Sequence, residues 1–331
     1  MTGAETVQSF NTLNYSGLLY NKADTSTPFL NLIGGNVKYT NSVEFVCGQY
    51  YTSEEGVIPA ISETASLTAP DATFVTRSQL SNVTQIFMES VAISYAKQSN
   101  MATLSGVNIA NQTANPQDEL DFQVARKMEK IKRSIEKTFI QGTYNKATAD
   151  TEINKTRGMV EAITTNVIAA AGKGLDLWLL DEAVRGIKSA GGDIDNIYAF
   201  VNSANLLQVN GAAIEMGMPI GVAKDTEFGI QVRDVILPVG TTIKLVLGAF
   251  IPEGTAIIFN PKYIGPVEQP VPAKGNFFLE ELAKTGAGAK YQIFGQIGLD
   301  HGPEWYAAKI TGLSTTFTAP IGQKVVTVAS E

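Results

Sequence analysis

The chain holds one histidine, His301, and one cysteine, Cys47, and these two residues bound its side-chain chemistry. Any Ser-His-Asp relay, Cys-His pair or histidine-based metal site would have to use His301. That residue lies in LDHGPEW, which reads as a turn between two strands, and a turn residue is the simpler reading. Cys47 lies in the apolar run VEFVCGQYY and reads as a small buried hydrophobe, not a nucleophile. With one cysteine no disulfide can form within the chain, so stability must come from packing or assembly. Carboxylates occur in neighbouring pairs: Glu54 with Glu55, Glu280 with Glu281, and Asp300 near Glu304. Two carboxylates can serve a glycosidase. Sugar-stacking tryptophans are nearly absent, Trp178 and Trp305 being the only two, and adjacent acids on polar loops are ordinarily just solvated. The glycine-rich TGAGAK at 285–290 does not fit the phosphate-cradling P-loop pattern, and AAGKGLDL at 170–177 fails it because Lys173 is followed by Gly174. No catalytic, cofactor-binding or metal-ligating set is expected. A hydrolase built on a carboxylate pair is kept as the enzymatic alternative.

Composition narrows the partners. Net charge is −7, which argues against a general electrostatic grip on nucleic acid. Charged residues make up only 17% of the 331, below the usual quarter, as suits a chain that hides surface against other subunits. MTGAETVQSF lacks the charged and apolar regions of a signal peptide, and the most apolar run, VILPVGTTIKLVLGAFIPEGTAIIF, is broken by Lys244, Glu253 and two prolines. The expectation is a soluble protein that makes no membrane contact and stays where it is made.

One element dominates the chain. QDELDFQVARKMEKIKRSIEKTFIQG, residues 117–142, reads as a helix about 39 Å long at 1.5 Å per residue. Leu120, Val124, Met128, Ile131, Ile135 and Phe139 form one apolar stripe. Asn115 suits the N-cap, Pro116 the first helical position and Gly142 the stop. Acids lead and cations follow, in the order the helix dipole favours. The cations could touch nucleic acid, but six cations among five acids more often make a solvated face.

Before the helix, residues 1–36 read as an apolar arm punctuated by Pro28 and IGGN. NSVEFVCGQYYTS and the run from Asp71 to Ala96 then read as two strands of a ribbon with no clean inside, joined by the polar EEGVIPAISETASLTAP. Such a ribbon is marginal alone, so something must cover it. After the helix, residues 157–265 read as a compact α/β unit. In it Leu177, Leu180, Val184 and Ile187 share one helix face, IYAFVN is a buried strand, and a second helix is capped by Asn202 or Ser203. The tail returns to strands in NFFLEELAK, KYQIFGQIGLDHG and PEWYAAKITGL.

This order of elements resembles a tailed-bacteriophage major capsid protein of the Hong Kong 97 fold. The segments that carry the resemblance are SNVTQIFMESVAIS at 81–94, RSIEKTFIQG at the end of the long helix, TRGMVEAI at 156–163, YAFVNSANLLQV at 198–209 and IPEGTAIIFNPKYI at 251–264. It covers the chain from about residue 5 to 315, and the order of elements carries most of the weight.

The resemblance implies an α+β fold with residues 1–36 as an N-terminal arm and 37–100 as a β-ribbon, the E-loop. It further implies 101–156 as spine helix and peripheral domain, 157–265 as an inserted axial domain, and 266–331 as peripheral strands and C-terminal tail. The implied function is a major head protein, a structural virion component with no cofactor. It would be made in the bacterial cytoplasm and would self-assemble into hexamers and pentamers of an icosahedral shell around phage DNA. Phe10, Leu19, Phe29, Glu54, Glu55, Val57 and Ile58 are expected at intersubunit contacts. Arg126, Lys130, Arg133 and Lys137 are expected to face the lumen and make weak contacts with double-stranded DNA. Scaffolding, portal and decoration proteins are the further partners implied. No long segment precedes the arm, so assembly guidance is expected from a separate protein or from a segment already removed. Some relatives weld subunits through a Lys-Asn bond that uses an E-loop lysine. Here no lysine lies between Lys38 and Lys97, so no such weld is expected. An encapsulin-like compartment, which shares the fold but holds an enzyme cargo, is the second structural reading.

Overall fold

A computed structural model describes residues 26–53, 56–69, 73–98, 119–215, 225–227, 230–284 and 286–316. The fold is α+β. Besides one helical turn at Tyr95–Gln98, the described residues form the helices α1 (Pro28–Ile33), α2 (Glu119–Gln141), α3 (Met159–Ala162), α4 (Leu177–Ser189) and α5 (Ser203–Glu215). The expected long helix is α2. Its start at Asn115 and Pro116 lies outside the described residues, and it ends where expected, with Gly142 N donating to Thr138 O at 2.7 Å. The stripe is what buries it. Ile131, Ile135 and Phe139 enter the core, and Val124 and Met128 pack on its rim.

Seven strands make the larger sheet, in the order β5 (Val167–Ala169), β14 (Ala307–Thr311), β10 (Ala256–Phe259), β6 (Ile197–Val201), β9 (Thr242–Leu247), β8 (Ile230–Ile236) and β7 (Asp225–Glu227). Its central strands read as unbroken apolar runs because both faces are covered. Tyr198 and Phe200 of β6, with Ile257 and Phe259 of β10, point into the core shared with α2. Ile197, Ala199 and Val201 point to the other side, against Leu177, Leu180, Val184 and Ile187 of α4. Asp176 caps α4 through Leu179 N at 2.8 Å, and Asn202 caps α5 through Asn205 N at 2.8 Å. One expectation needs correction here. Residues 307–311, assigned by sequence to the peripheral strands, sit inside this sheet. They run antiparallel to β10 and parallel to β5, because Ala308 and Ile310 complete the apolar face under α4.

The arm helix α1 is wedged between α2 and the large sheet. Phe29 is 1% exposed, and its ring meets Phe200 at 5.7 Å and Phe259 at 5.4 Å, both edge-on. This overturns its expected place at an intersubunit contact, since a side chain enclosed by its own chain has no surface left for a neighbour. The wedge is held by Glu136 of α2, which is fully buried. Its two carboxylate oxygens accept Phe29 N at 2.9 Å and Leu30 N at 2.8 Å. Pro28 opens α1, so these are the first amides of the helix with protons to donate.

A second sheet is centred on β13 (Gly288–Asp300). One edge of β13 pairs with β4 (Gln85–Ser94), and the other with β12 (Phe278–Glu281) and β11 (Gly265–Glu268); β1 (Lys38–Tyr39) adds to β11. The ribbon proper is β2 (Glu44–Tyr51) paired with β3 (Arg77–Val83). The run read as one ribbon strand therefore divides at Thr84. Its first half stays in the ribbon and its second half leaves to pair with β13. The mixed alternation resolves accordingly, with Phe87, Val91 and Ile93 buried on the side facing α2.

Replacing Glu136 by Ala leaves two enclosed amide donors without an acceptor, an expected cost of roughly 2–5 kcal/mol. Glu136→Gln, which keeps a carbonyl acceptor, should cost clearly less. Urea midpoints of the subunit measure both, and an unchanged midpoint for Glu136→Ala would refute the role given to this carboxylate.

Candidate functional site

The ribbon is the feature its own chain does not explain. Its two strands stay paired out to Tyr51 and Arg77, and beyond them residues 52–76 form the connecting tip. Val57 is 84% exposed and Ile58 91%, and Ile61, Leu67 and Phe74 are also exposed. Glu54 and Glu55 lie outside the described residues, as do Phe10 and Leu19 of the arm. Of the expected contact residues, Val57 and Ile58 thus share one open apolar tip, and Phe29 is withdrawn into the core.

The base of the ribbon is a buried polar junction. Asn82 Nδ2 donates to Leu299 O at 2.7 Å and Arg157 O at 3.2 Å, while its Oδ1 accepts Val83 N at 2.9 Å and Arg157 N at 2.8 Å. Thr156 Oγ1 accepts Leu299 N at 3.1 Å. Asp300 is ion-paired to Lys38 and accepts Gly302 N at 2.9 Å. One side chain, Asn82, therefore joins β3, the end of β13 and the loop after α2. The Phe45 ring can approach this junction because residue 298 is glycine: a Cβ there would come within 2.6 Å of the ring. Cys47 is the extra residue of a β-bulge between Val46 and Gly48. Higher up, Tyr50 packs on Trp305 with ring centroids 4.8 Å apart.

His301 occupies the expected turn but is enclosed. Its Nδ1 lies 2.8 Å from Gly302 O, and its Nε2 is buried with no partner. Burial pushes its pKa below 6.5, and the Arg157 cation lowers it further, while the Gly302 carbonyl, Asp300 and Glu304 pull the other way. Burial, with the Asp300 charge beside it, pushes the Cys47 thiol up to about 12. Neither residue is poised as a nucleophile or base.

Among the described residues, the members of each carboxylate pair take separate partners. Glu280 and Glu281 alternate across β12, Glu280 pairing with Lys274 at 2.7 Å and Glu281 with Lys284 at 4.0 Å. Asp300 serves the junction, while Glu304 accepts Thr164 N at 2.9 Å, Thr165 N at 3.0 Å and the Thr165 hydroxyl. Among the described residues, no three His, Cys, Asp or Glu side chains converge as a metal site, and no helix is long and apolar enough to cross a membrane.

The spine cations are mostly committed. Arg126 pairs with Glu129 at 2.8 Å, and Lys130 pairs with Glu89, which also receives Lys127 at 2.9 Å. These two lysines hold the Glu89 carboxyl below its ordinary range. Arg133 stacks over Phe250 at 5.9 Å, with its Nε buried. Lys137 remains exposed, and so does Lys132, which was not singled out from the sequence. Glu136 and Asn82 were also missed. Glu136 carried a signal: it falls beside Ile135 and four residues before Ile140, on the apolar side of its helix.

The SU10 major capsid protein family model matches residues 2–314. Among curated proteins none matches. Solved structures do, at identities that speak only to the fold. The Cyanophage A-1(L) capsid asymmetric unit is 12% identical with a TM-score of 0.63, the match covering 95% of this chain and 99% of that one. The holo-SrpI encapsulin complex from Synechococcus elongatus PCC 7942 is 11% identical with a TM-score of 0.60, over 96% and 98%. The capsid of Myoviridae Phage XM1 is 11% identical with a TM-score of 0.55, over 95% and 99%. The fold is of the Hong Kong 97 type, as the sequence resemblance implied.

Two solution measurements follow from the junction. As pH falls below about 6.5, the unfolded chain takes up a proton that folded His301 refuses, so stability should decline from there toward the lowered folded pKa. His301→Gln should remove that part of the pH dependence and leave the carboxylate-driven loss at lower pH; identical pH profiles for the two proteins would refute the assignment. Cys47 should resist alkylation at pH 8 in the folded protein and react fully in denaturant, as thiol counting by mass spectrometry would show.

Proposed function

The chain belongs to the SU10 major capsid protein family, and from that premise we propose how it builds a capsid shell. The observation that carries the proposal is the ribbon tip, whose apolar residues, Ile58 foremost, have no cover in their own chain. Isolated two-stranded ribbons are marginal in water, and a contiguous exposed apolar patch signals a partner. Here the partner is an adjacent subunit. Each tip buries area on a neighbour, each contact is weak, and closure of the shell sums them. The chain acts as a structural component of a virion and carries out no catalysis.

The remaining parts take roles in the same scheme. The arm before α1 extends to a neighbour, with Phe10 and Leu19 as its anchors and α1 as its fixed root. Residues 37–100 are the overlapping loop, α2 braces the peripheral sheet, and the α/β unit beginning near residue 157 meets its copies at hexamer and pentamer centres. Lys132 and Lys137 are the spine cations offered to packaged double-stranded DNA. Arg126 and Lys130 are already neutralised, so that contact is weak. Scaffold, portal and decoration proteins complete the particle. The encapsulin-like reading rests on the fold match to an encapsulin, and the contents of the particle separate the two: nucleic acid for a capsid, a cargo protein for a compartment.

Purified chain should appear as capsomer rings or closed shells in negative-stain electron microscopy. Ile58→Asp should abolish these particles while leaving thermal unfolding of the subunit unchanged, because Ile58 contacts nothing that holds the subunit together. Intact shells from Ile58→Asp would remove the tip from the assembly scheme. Boiled denaturing gels of mature particles should show single-chain bands; covalent ladders would contradict the absence of a lysine weld.

A further inference from the structure

One extra residue in the ribbon decides which of two tyrosines meets the body. Up to Val46, β2 pairs in step with β3, Phe45 opposite Asn82 and Val46 opposite Ser81. Cys47 is then skipped, and Gly48 lies opposite Leu80, Gln49 opposite Gln79, Tyr50 opposite Ser78 and Tyr51 opposite Arg77. Without the bulge, strict alternation from Phe45 would put Gln49 and Tyr51 on the body side and turn Tyr50 away. The extra residue reverses this, so Tyr50 shares the face of Phe45, Leu80 and Asn82. Burial follows the same phase: Tyr50 is half-buried, and Tyr51 is 64% exposed.

Tyr50 lands on a fixed partner. Its ring meets Trp305 edge-on, at an interplanar angle of 65°. Trp305 sits in the short turn Glu304–Tyr306, directly before β14. Asn166 Nδ2 donates to its carbonyl at 2.7 Å, its ring meets Tyr306 at 6.1 Å, and Tyr306 in turn meets Tyr263 at 5.1 Å. The seat therefore belongs to the seven-stranded sheet, whereas the junction at Asn82 holds the ribbon to the end of β13 and to the loop after α2. Along β3 the two anchors lie four residues apart, Asn82 to Ser78, about 13 Å at ~3.3 Å per residue. A two-stranded ribbon is free to twist more than a sheet, so one anchor leaves its pitch unset and a second fixes it. Neither ring belongs to the two large cores, so the contact adds direction without carrying the stability of the subunit.

Resting on the shell reading above, we propose that the Tyr50–Trp305 contact is the stop that sets the ribbon's pitch against the α/β unit, and through it the angle at which adjacent copies meet. Whether and where a series of like contacts closes depends on that angle. Tyr50 and Trp305 are thus positioning residues for shell curvature, and the bulge at Cys47 is the device that aims one at the other.

Two measurements test the stop, one on the subunit and one on the particle. Trp178→Phe leaves Trp305 as the one tryptophan. In that background Tyr50→Ala should shift the fluorescence emission to the red, while Tyr51→Ala should not move it; unchanged emission in Tyr50→Ala would overturn the contact itself. In negative-stain images of assembled particles, Tyr50→Ala and Trp305→Ala should replace the single parent diameter by a broad spread, with the urea midpoint of the subunit unchanged. Tyr50→Phe, which keeps the ring, should restore the single diameter. Particles of the parent diameter, no particles at all, or a lowered urea midpoint in both alanine variants would overturn the stop while leaving the shell reading standing. A parent chain that forms no particles overturns the shell reading and the role in curvature with it, and the emission test still decides whether the contact exists.

Discussion

A buried carboxylate fixes the position of everything around it. Glu136 sits on the apolar side of α2, where a charge is costly unless its oxygens are satisfied. Two amides at the start of α1 satisfy them, so α1 can dock in one place and one orientation. That docking sends Phe29 between Phe200 and Phe259, and the three rings join the long helix, the arm root and the seven-stranded sheet into a single core. The large sheet is then enclosed on both faces, by α2 and α1 on one side and by α4 and α5 on the other. This explains why its central strands carry no polar alternation.

The ribbon depends on the opposite arrangement. It has no core of its own, so its base is held by directed polar contacts instead of by apolar area. Asn82 uses both donor and acceptor atoms on three separate segments, and Thr156 and Asp300 extend the same set. Hydrogen bonds of this kind set an angle where apolar contact alone would tolerate a range. A projecting ribbon with an apolar tip must be aimed before it is covered, since an exposed apolar edge pairs indiscriminately.

Much of this was readable in the residues. The spine helix declared itself by one stripe and a glycine stop, α4 by four apolar positions on one face, and the capsid fold by the order of elements. What failed to show was pairing between segments far apart in sequence. The strand beginning at Arg77 changes partners at Thr84, and its alternation mixes polar and apolar residues on both faces, so no local pattern marks the change. Residues 307–311 look like any tail strand until β5 and β10 are seen on either side. Phe29 resembled an intersubunit anchor because the arm around it is apolar, broken by Pro28 and IGGN, and shows no period that ties it to its own core; the carboxylate 107 residues away holds it inside. The apolar tip was legible as a patch in search of cover.

The change of partner at Thr84 has a mechanical side. One stretch of backbone, from Arg77 to Ser94, belongs first to the ribbon and then to the sheet. A pull on the tip along the ribbon axis therefore passes straight into β4, where ten successive residues are registered against β13. Ladder hydrogen bonds lie across the strands, so a lengthwise load strains them together in shear instead of peeling them apart singly. Tension received at one end of the subunit is spread through β13 into β11 and on to β1. The ribbon and sheet thus act as one tie-rod with its anchorage inside the body.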